Sequence, residues 1–207
     1  MGLLNQLLHN PLAFILTAVP FLYSVVIHEV AHGWVAYKMG DPTAKWLGRL
    51  TLNPLKHLDP IGTLMLFLVG FGWAKPVPIN MNNIANKRMG LIFVSSAGIL
   101  ANILFAIVAL VLYRLSSPAP SGILNDIVKS VFNINIVLAA LNLIPIPPLD
   151  GSKILMGIAP RETQYFLARL EPYGFFIIIG LLYLRILDPL ISFIGGAIVM
   201  LITSLIS

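Results

Sequence analysis

The chain has 207 residues, of which 58% are hydrophobic and 10% charged, and its mean hydropathy is +0.91. A soluble domain carries roughly 25% charged residues, so this composition excludes an ordinary soluble globule and points to membrane-spanning helices. The net charge of +5 resides in short loops and gives no reason to expect nucleic acid; the absence of cysteine removes disulfides and cysteine-based zinc ligation.

The first predicted span covers residues 11–37. It contains no charged residue except Glu29, and Pro20 predicts a kink or a division inside it. The next apolar stretch, 61–72, is too short to cross a bilayer as a helix and predicts a re-entrant or buried segment. It runs into Trp73-Ala74-Lys75-Pro76-Val77-Pro78, whose prolines forbid a regular helix and predict an extended segment. Residues 90–113 and 123–143 read as full-length spans. Residues 159–170 read as a short amphipathic helix. Residues 173–187 and 189–206 read as a closing helical hairpin, within 173–206. The expected fold is therefore an all-α polytopic membrane protein, with about five transmembrane helices and a re-entrant or extended segment around 61–80. It forms one domain over 1–207 with its core in 11–155.

Loops 38–60, 73–89 and 144–172 hold most of the Lys and Arg, whereas the connection 116–122 holds none. The positive-inside rule makes the basic loops cytoplasmic, with the N-terminus outside and the C-terminus inside.

Chemistry concentrates in His28-Glu29-Val30-Ala31-His32, an H-E-x-x-H pattern in a chain with four histidines. On a helix, positions i and i+4 share a face, so both imidazoles can reach one Zn²⁺, with Glu29 one step round beside the metal-bound water. A carboxylate costs roughly 2.5–3.5 kcal/mol at a bilayer centre, so a Glu between two His inside a span is a functional expectation. A catalytic zinc site takes three protein ligands, so a third must come from elsewhere. The aspartates are Asp41, Asp59, Asp126, Asp150 and Asp188. Asp150 stands out because it follows Asn142-Leu-Ile-Pro145-Ile-Pro147-Pro148-Leu149 at the same membrane depth as the histidines, with Gly151 behind it. Ser95, Gly98 and Asn102 share a helix face that suits close packing, and Asn102 could also reach a substrate. His57 sits in a turn, as loop structure or with a role at the site.

These motifs resemble the site-2 protease family of intramembrane zinc metalloproteases, and within it the short bacterial and archaeal members that are little more than a membrane core. The similarity rests on His28-Glu29-x-x-His32 and on Pro147-Pro148-Leu149-Asp150-Gly151. It extends through Gly40-Asp41-Pro42, Asn53-Pro54, His57-Leu58-Asp59-Pro60 and Phe71-Gly72-Trp73. Ala97-Gly98-Ile99 stands where the family often has Ala-Gly-Pro. The resemblance implies one zinc per chain, held by His28, His32 and Asp150, with Glu29 as general base and Asn142 on the substrate backbone. It implies hydrolysis of peptide bonds within or near transmembrane segments of membrane proteins. The expected partners are a transmembrane-helix substrate and the lipid bilayer, with a homo-oligomer or a regulatory membrane partner left open. The expected location is the cytoplasmic membrane, multi-pass, with the active site toward the cytoplasm. The rival readings are an inactive membrane scaffold and a metal-ion carrier; a carrier should string polar groups along its spans, whereas here they cluster at one depth.

Overall fold

The computed structural model describes residues 7–69, 73–115 and 122–206. Helix α1, Pro11–Lys38, starts on Asn10, whose side chain accepts from the Ala13 N–H at 3.0 Å. Pro20 lies inside it, and the Ser24 hydroxyl donates to the Pro20 carbonyl at 2.7 Å. Gly40, with φ of 108°, supplies the left-handed turn that lets the Asp41 N–H return to the Ala36 carbonyl. Asp41 is fully buried and accepts from the Asn80 N–H, the Asn83 amide and Thr43. Burial works against its charge, yet the bonds from Thr43, Asn83 and Asn80 hold its carboxyl below the usual carboxylate range. Asp41 thus ties the end of α1 to the approach to α4.

Short helix α2, Thr43–Trp46, and a turn at Pro54–Lys56 lead to α3, Pro60–Val69. Residues 73–80 are extended, as their prolines require, and Ala74 pairs with Leu58 in an antiparallel bridge. Beyond them lie α4 (Lys87–Leu115), α5 (Ile123–Asn142), α6 (Asp150–Ile158), α7 (Arg161–Leu170), α8 (Gly174–Tyr183) and α9 (Asp188–Ile206). Parts of two expected features, the 61–72 segment beyond Val69 and the 116–122 connection before Gly122, lie outside the described residues.

Among the described residues, five helices are long and apolar enough to cross a membrane: Pro11–Lys38, Lys87–Leu115, Ile123–Leu143, Arg161–Tyr183 and Asp188–Ile206. The protein is all-helical and multi-pass, as the hydropathy predicts. Its core is narrow. Ala106, Ala139 and Ala140 let α4 and α5 approach closely, and Ile198 and Ile202 of α9 close over them. Large apolar side chains such as Leu12, Leu100, Leu104, Phe193 and Leu201 point outward, as a lipid-solvated bundle requires.

The last helix runs opposite to the direction expected from the loops. The Arg114 guanidinium, at the far end of α4, donates to the Ile206 carbonyl at 2.8 Å. Gly195 lies against Ile136 and Ala140, and Leu187 clusters with Ile144. So α9 is antiparallel to α5 and ends away from Asp150. The cause lies in the segment before it. Residues 161–183 are long enough as a whole, but they bend at Glu171–Tyr173, which leaves α8 ten residues, about 15 Å of rise against a hydrocarbon core of about 30 Å. Gly174 presses on Pro147, Ile178 on Ile144, and after Tyr183 the chain is back against Ile144 through Leu187. Arg185, with φ of 57°, makes that turn and joins the basic end of the bundle.

Candidate metal centre

His28 and His32 sit one turn apart on α1, and each is 7% exposed. Asp150 opens α6 and is 6% exposed. The prolines after Asn142 end α5, and the chain then folds back on itself. A Cβ on Gly151 would meet the Leu143 and Ile144 carbonyl oxygens at 2.4 and 2.6 Å, so only glycine fits that return.

Three ligand atoms converge. His28 Nε2 and His32 Nε2 are 3.0 Å apart, and each is 3.1 Å from Asp150 Oδ2. Asp150 Oδ2 is buried with no hydrogen-bond partner. The imidazoles engage their other nitrogens elsewhere: His32 Nδ1 with the Val94 carbonyl at 2.7 Å, His28 Nδ1 with Asn102 Oδ1 at 2.7 Å. Both Nε2 atoms are thereby turned to the carboxylate. Such a cluster of acceptors is repulsive unless positive charge sits among them. Tetrahedral zinc with bonds of about 2.0–2.1 Å would separate its ligand atoms by roughly 3.3–3.4 Å, close to the observed spacing. The donor set, two imidazoles and one carboxylate, is that of a catalytic zinc site with an open position. The residues fit the metal.

Glu29 is half-buried beside this cluster in sequence. Its Oε2 accepts from the Val77 N–H at 2.7 Å, which places the extended segment against the candidate base. That segment is held from behind. The Lys75 N–H donates to the His57 carbonyl at 2.8 Å, and the Arg49 guanidinium donates to the Lys75 and Pro76 carbonyls at 2.8 and 3.3 Å. Oε1 of Glu29 has no hydrogen bond among the described residues.

The remaining expected site residues are placed differently. Asn102 is fully buried, with Oδ1 on His28 and its amide on Asn135 and Ser24. His57 is also fully buried, with Nε2 on the Thr51 carbonyl at 2.9 Å, and it meets the extended segment through its backbone carbonyl, which accepts from the Lys75 N–H. Asn142 ends α5, half-buried, and its amide donates to the Leu138 carbonyl at 3.0 Å. Gly98 gains a role that packing alone did not suggest. A Cβ there would meet His32 Nε2 at 2.5 Å and His28 Cε1 at 2.6 Å. Arg49 holds the extended segment, and Ser24 and Asn135 hydrogen-bond around Asn102; their sequence signal was polarity, inside apolar runs for Ser24 and Asn135.

Comparison with known proteins follows the same line. A family model, Peptidase family M50, matches residues 116–184. A Bacillus subtilis (strain 168) protein named "Putative zinc metalloprotease YwhC" is 37% identical over 186 residues, covering 86% of this chain and 85% of that protein. A Mycolicibacterium smegmatis protein named "Putative zinc metalloprotease Rip2" is 34% identical over 175 residues, covering 82% of this chain and 67% of Rip2. The Zinc metalloprotease MJ0392 of Methanocaldococcus jannaschii is 25% identical over 160 residues, covering 77% of this chain and 39% of MJ0392. No solved structure matches the chain significantly.

Proposed function

The chain belongs to peptidase family M50, the site-2 protease family of membrane zinc metalloproteases, and from that premise we propose that it cleaves peptide bonds within or beside transmembrane segments of other membrane proteins, in regulated intramembrane proteolysis. The observation that carries the reading is the convergence of His28, His32 and Asp150 inside a bundle of membrane helices, with Glu29 adjoining.

In this reading His28, His32 and Asp150 hold the zinc. When bound, zinc polarises a scissile carbonyl and makes water a nucleophile near neutral pH. Glu29 accepts the proton of the attacking water on Oε1 and passes it to the leaving amine. The Val77 N–H holds the other carboxylate oxygen, so the base points one way. The low exposure of the ligands keeps bulk water from competing. A helical substrate has its carbonyls tied up in hydrogen bonds and must unwind locally first. Asn142 is retained as a contact to the unwound backbone.

The direct test uses the purified protein with a single-span model substrate in liposomes. Cuts should map inside or at the edge of the apolar span, vanish with a zinc chelator and return with zinc. Cleavage of soluble peptides alone would overturn the assignment.

In this reading the site faces the cytoplasm of the cell membrane, which the gathering of basic residues at the Asp150 end supports. In the cysteine-free chain, Lys45→Cys should resist a membrane-impermeant maleimide applied to intact cells. Ser204→Cys, near the end of α9, should label. Labelling at Lys45→Cys with protection at Ser204→Cys would reverse the orientation.

A further inference from the structure

Three spans meet in a buried polar relay that the chemistry above does not use. Ser24 of α1, Asn102 of α4 and Asn135 of α5 are 1%, 0% and 0% exposed. Polar side chains at such depth are expensive unless each finds partners, and here the donors do. The direction of every bond is fixed by atoms that can only accept. The Val131 carbonyl takes a hydrogen bond from Asn135 Nδ2 at 2.8 Å. The same amide donates to Ser24 Oγ at 2.8 Å, and the Ser24 hydroxyl spends its own proton on the Pro20 carbonyl. With its nitrogen so committed, Asn135 turns Oδ1 toward Asn102 Nδ2, at 2.7 Å. Asn102 Nδ2 also faces the Ser24 carbonyl, at 3.3 Å. Oδ1 of Asn102 is left to meet His28 Nδ1 at 2.7 Å. An amide oxygen has no proton to give, so His28 carries its proton on Nδ1 and presents a lone pair on Nε2.

From this we infer that Asn135 is a positioning residue of the metal centre: acting through Asn102, it sets the tautomer of His28. The inference rests on His28 being a zinc ligand. His32 needs no such device, because the Val94 carbonyl accepts from its Nδ1 directly. His28 has no carbonyl in that position and borrows the polarity of Val131 across two helices. Without Asn135, Asn102 keeps only its longer contact to Ser24. Its amide can then turn over, offer Nδ2–H to His28 Nδ1, and leave the imidazole proton on Nε2, where it blocks the metal.

The chain has four histidines, few enough for long-range ¹H–¹⁵N correlation on zinc-stripped, ¹⁵N-histidine-labelled protein in micelles. Wild type should show His28 and His32 protonated on Nδ1. Asn135→Leu should shift His28 toward the Nε2–H form, leave His32 unchanged as the internal reference, and weaken zinc binding by about 10–100-fold. Ser24→Ala should keep the wild-type tautomer, because Val131 still orients Asn135. An Nε2–H His28 in wild type would overturn the inference without any variant, which covers the case of Asn135→Leu failing to fold. So would an unchanged His28 tautomer in folded Asn135→Leu, even with weaker zinc, because weaker zinc alone is what a packing defect gives. A wild-type protein that binds no zinc would instead remove the metal reading beneath it.

Discussion

Glu29→Gln should retain zinc and lose cleavage by a factor of about 10²–10⁴, the usual weight of a positioned general base. The substitution keeps the size of the side chain. A glutamine can still accept from the Val77 N–H, the contact Glu29 makes at 2.7 Å, so the extended segment stays docked. What changes is the other arm: an amide nitrogen stands where a carboxylate oxygen took a proton, and it cannot take one. Ground-state binding of metal and substrate should therefore survive while kcat falls. A metal carrier or an inert scaffold makes no such demand and would tolerate glutamine. The measurement compares wild type and Glu29→Gln in one detergent against one transmembrane substrate, with zinc content determined in both. Equal cleavage at equal zinc would strike Glu29 from the mechanism.

The parts of this site legible in the sequence are those where local geometry decides. A helix puts i and i+4 on one face whatever surrounds it, so His28 and His32 could be paired from spacing alone. Asp150 was legible because prolines end α5 at a stated depth and glycine permits the sharp return. The extended stretch at 73–80 followed from Pro76 and Pro78. The illegible parts depend on how helices face one another. Apolar runs encode length but not direction, so the course of α9 rested on the charges of three loops, a count that did not include Arg185. Asn102 and His57 were sensed as polar residues near the site, but whether such a side chain meets a substrate or a neighbouring helix is a tertiary fact. Asn135 carries no motif at all; only the chain of acceptor atoms from Val131 to His28 shows its use. Gly98 looked like one more small residue on a packing face.

That glycine leads to the second large effect. Gly98→Ala should reduce zinc affinity about 100-fold, the upper end for a residue that supports metal ligands without joining them. The added carbon would lie 2.5 Å from His32 Nε2 and 2.6 Å from His28 Cε1, against ordinary contacts of about 3.5–4.0 Å. One of two things must give. The imidazoles could move, but His32 is tied to Val94 and His28 to Asn102, and a ring that swings away takes its Nε2 out of the triangle with Asp150. Helix α4 could retreat from α1, but that would pull Asn102 off His28 and open the core built on Val94 and Ala36. Overpacking of this kind costs about 1–3 kcal/mol if the backbone absorbs it, enough to lower the melting temperature and leave a folded protein. Alanine is also a better helix former than glycine, by about 1 kcal/mol, which offsets part of that loss. The two effects thus separate: stability near that of wild type, with a metal site that no longer closes. Competition against a chelator of known affinity reads the second, and thermal unfolding of the zinc-free protein reads the first. Wild-type zinc affinity in a folded Gly98→Ala protein would mean that the ligand atoms do not lie against α4, and the triangle of His28, His32 and Asp150 would have to be redrawn.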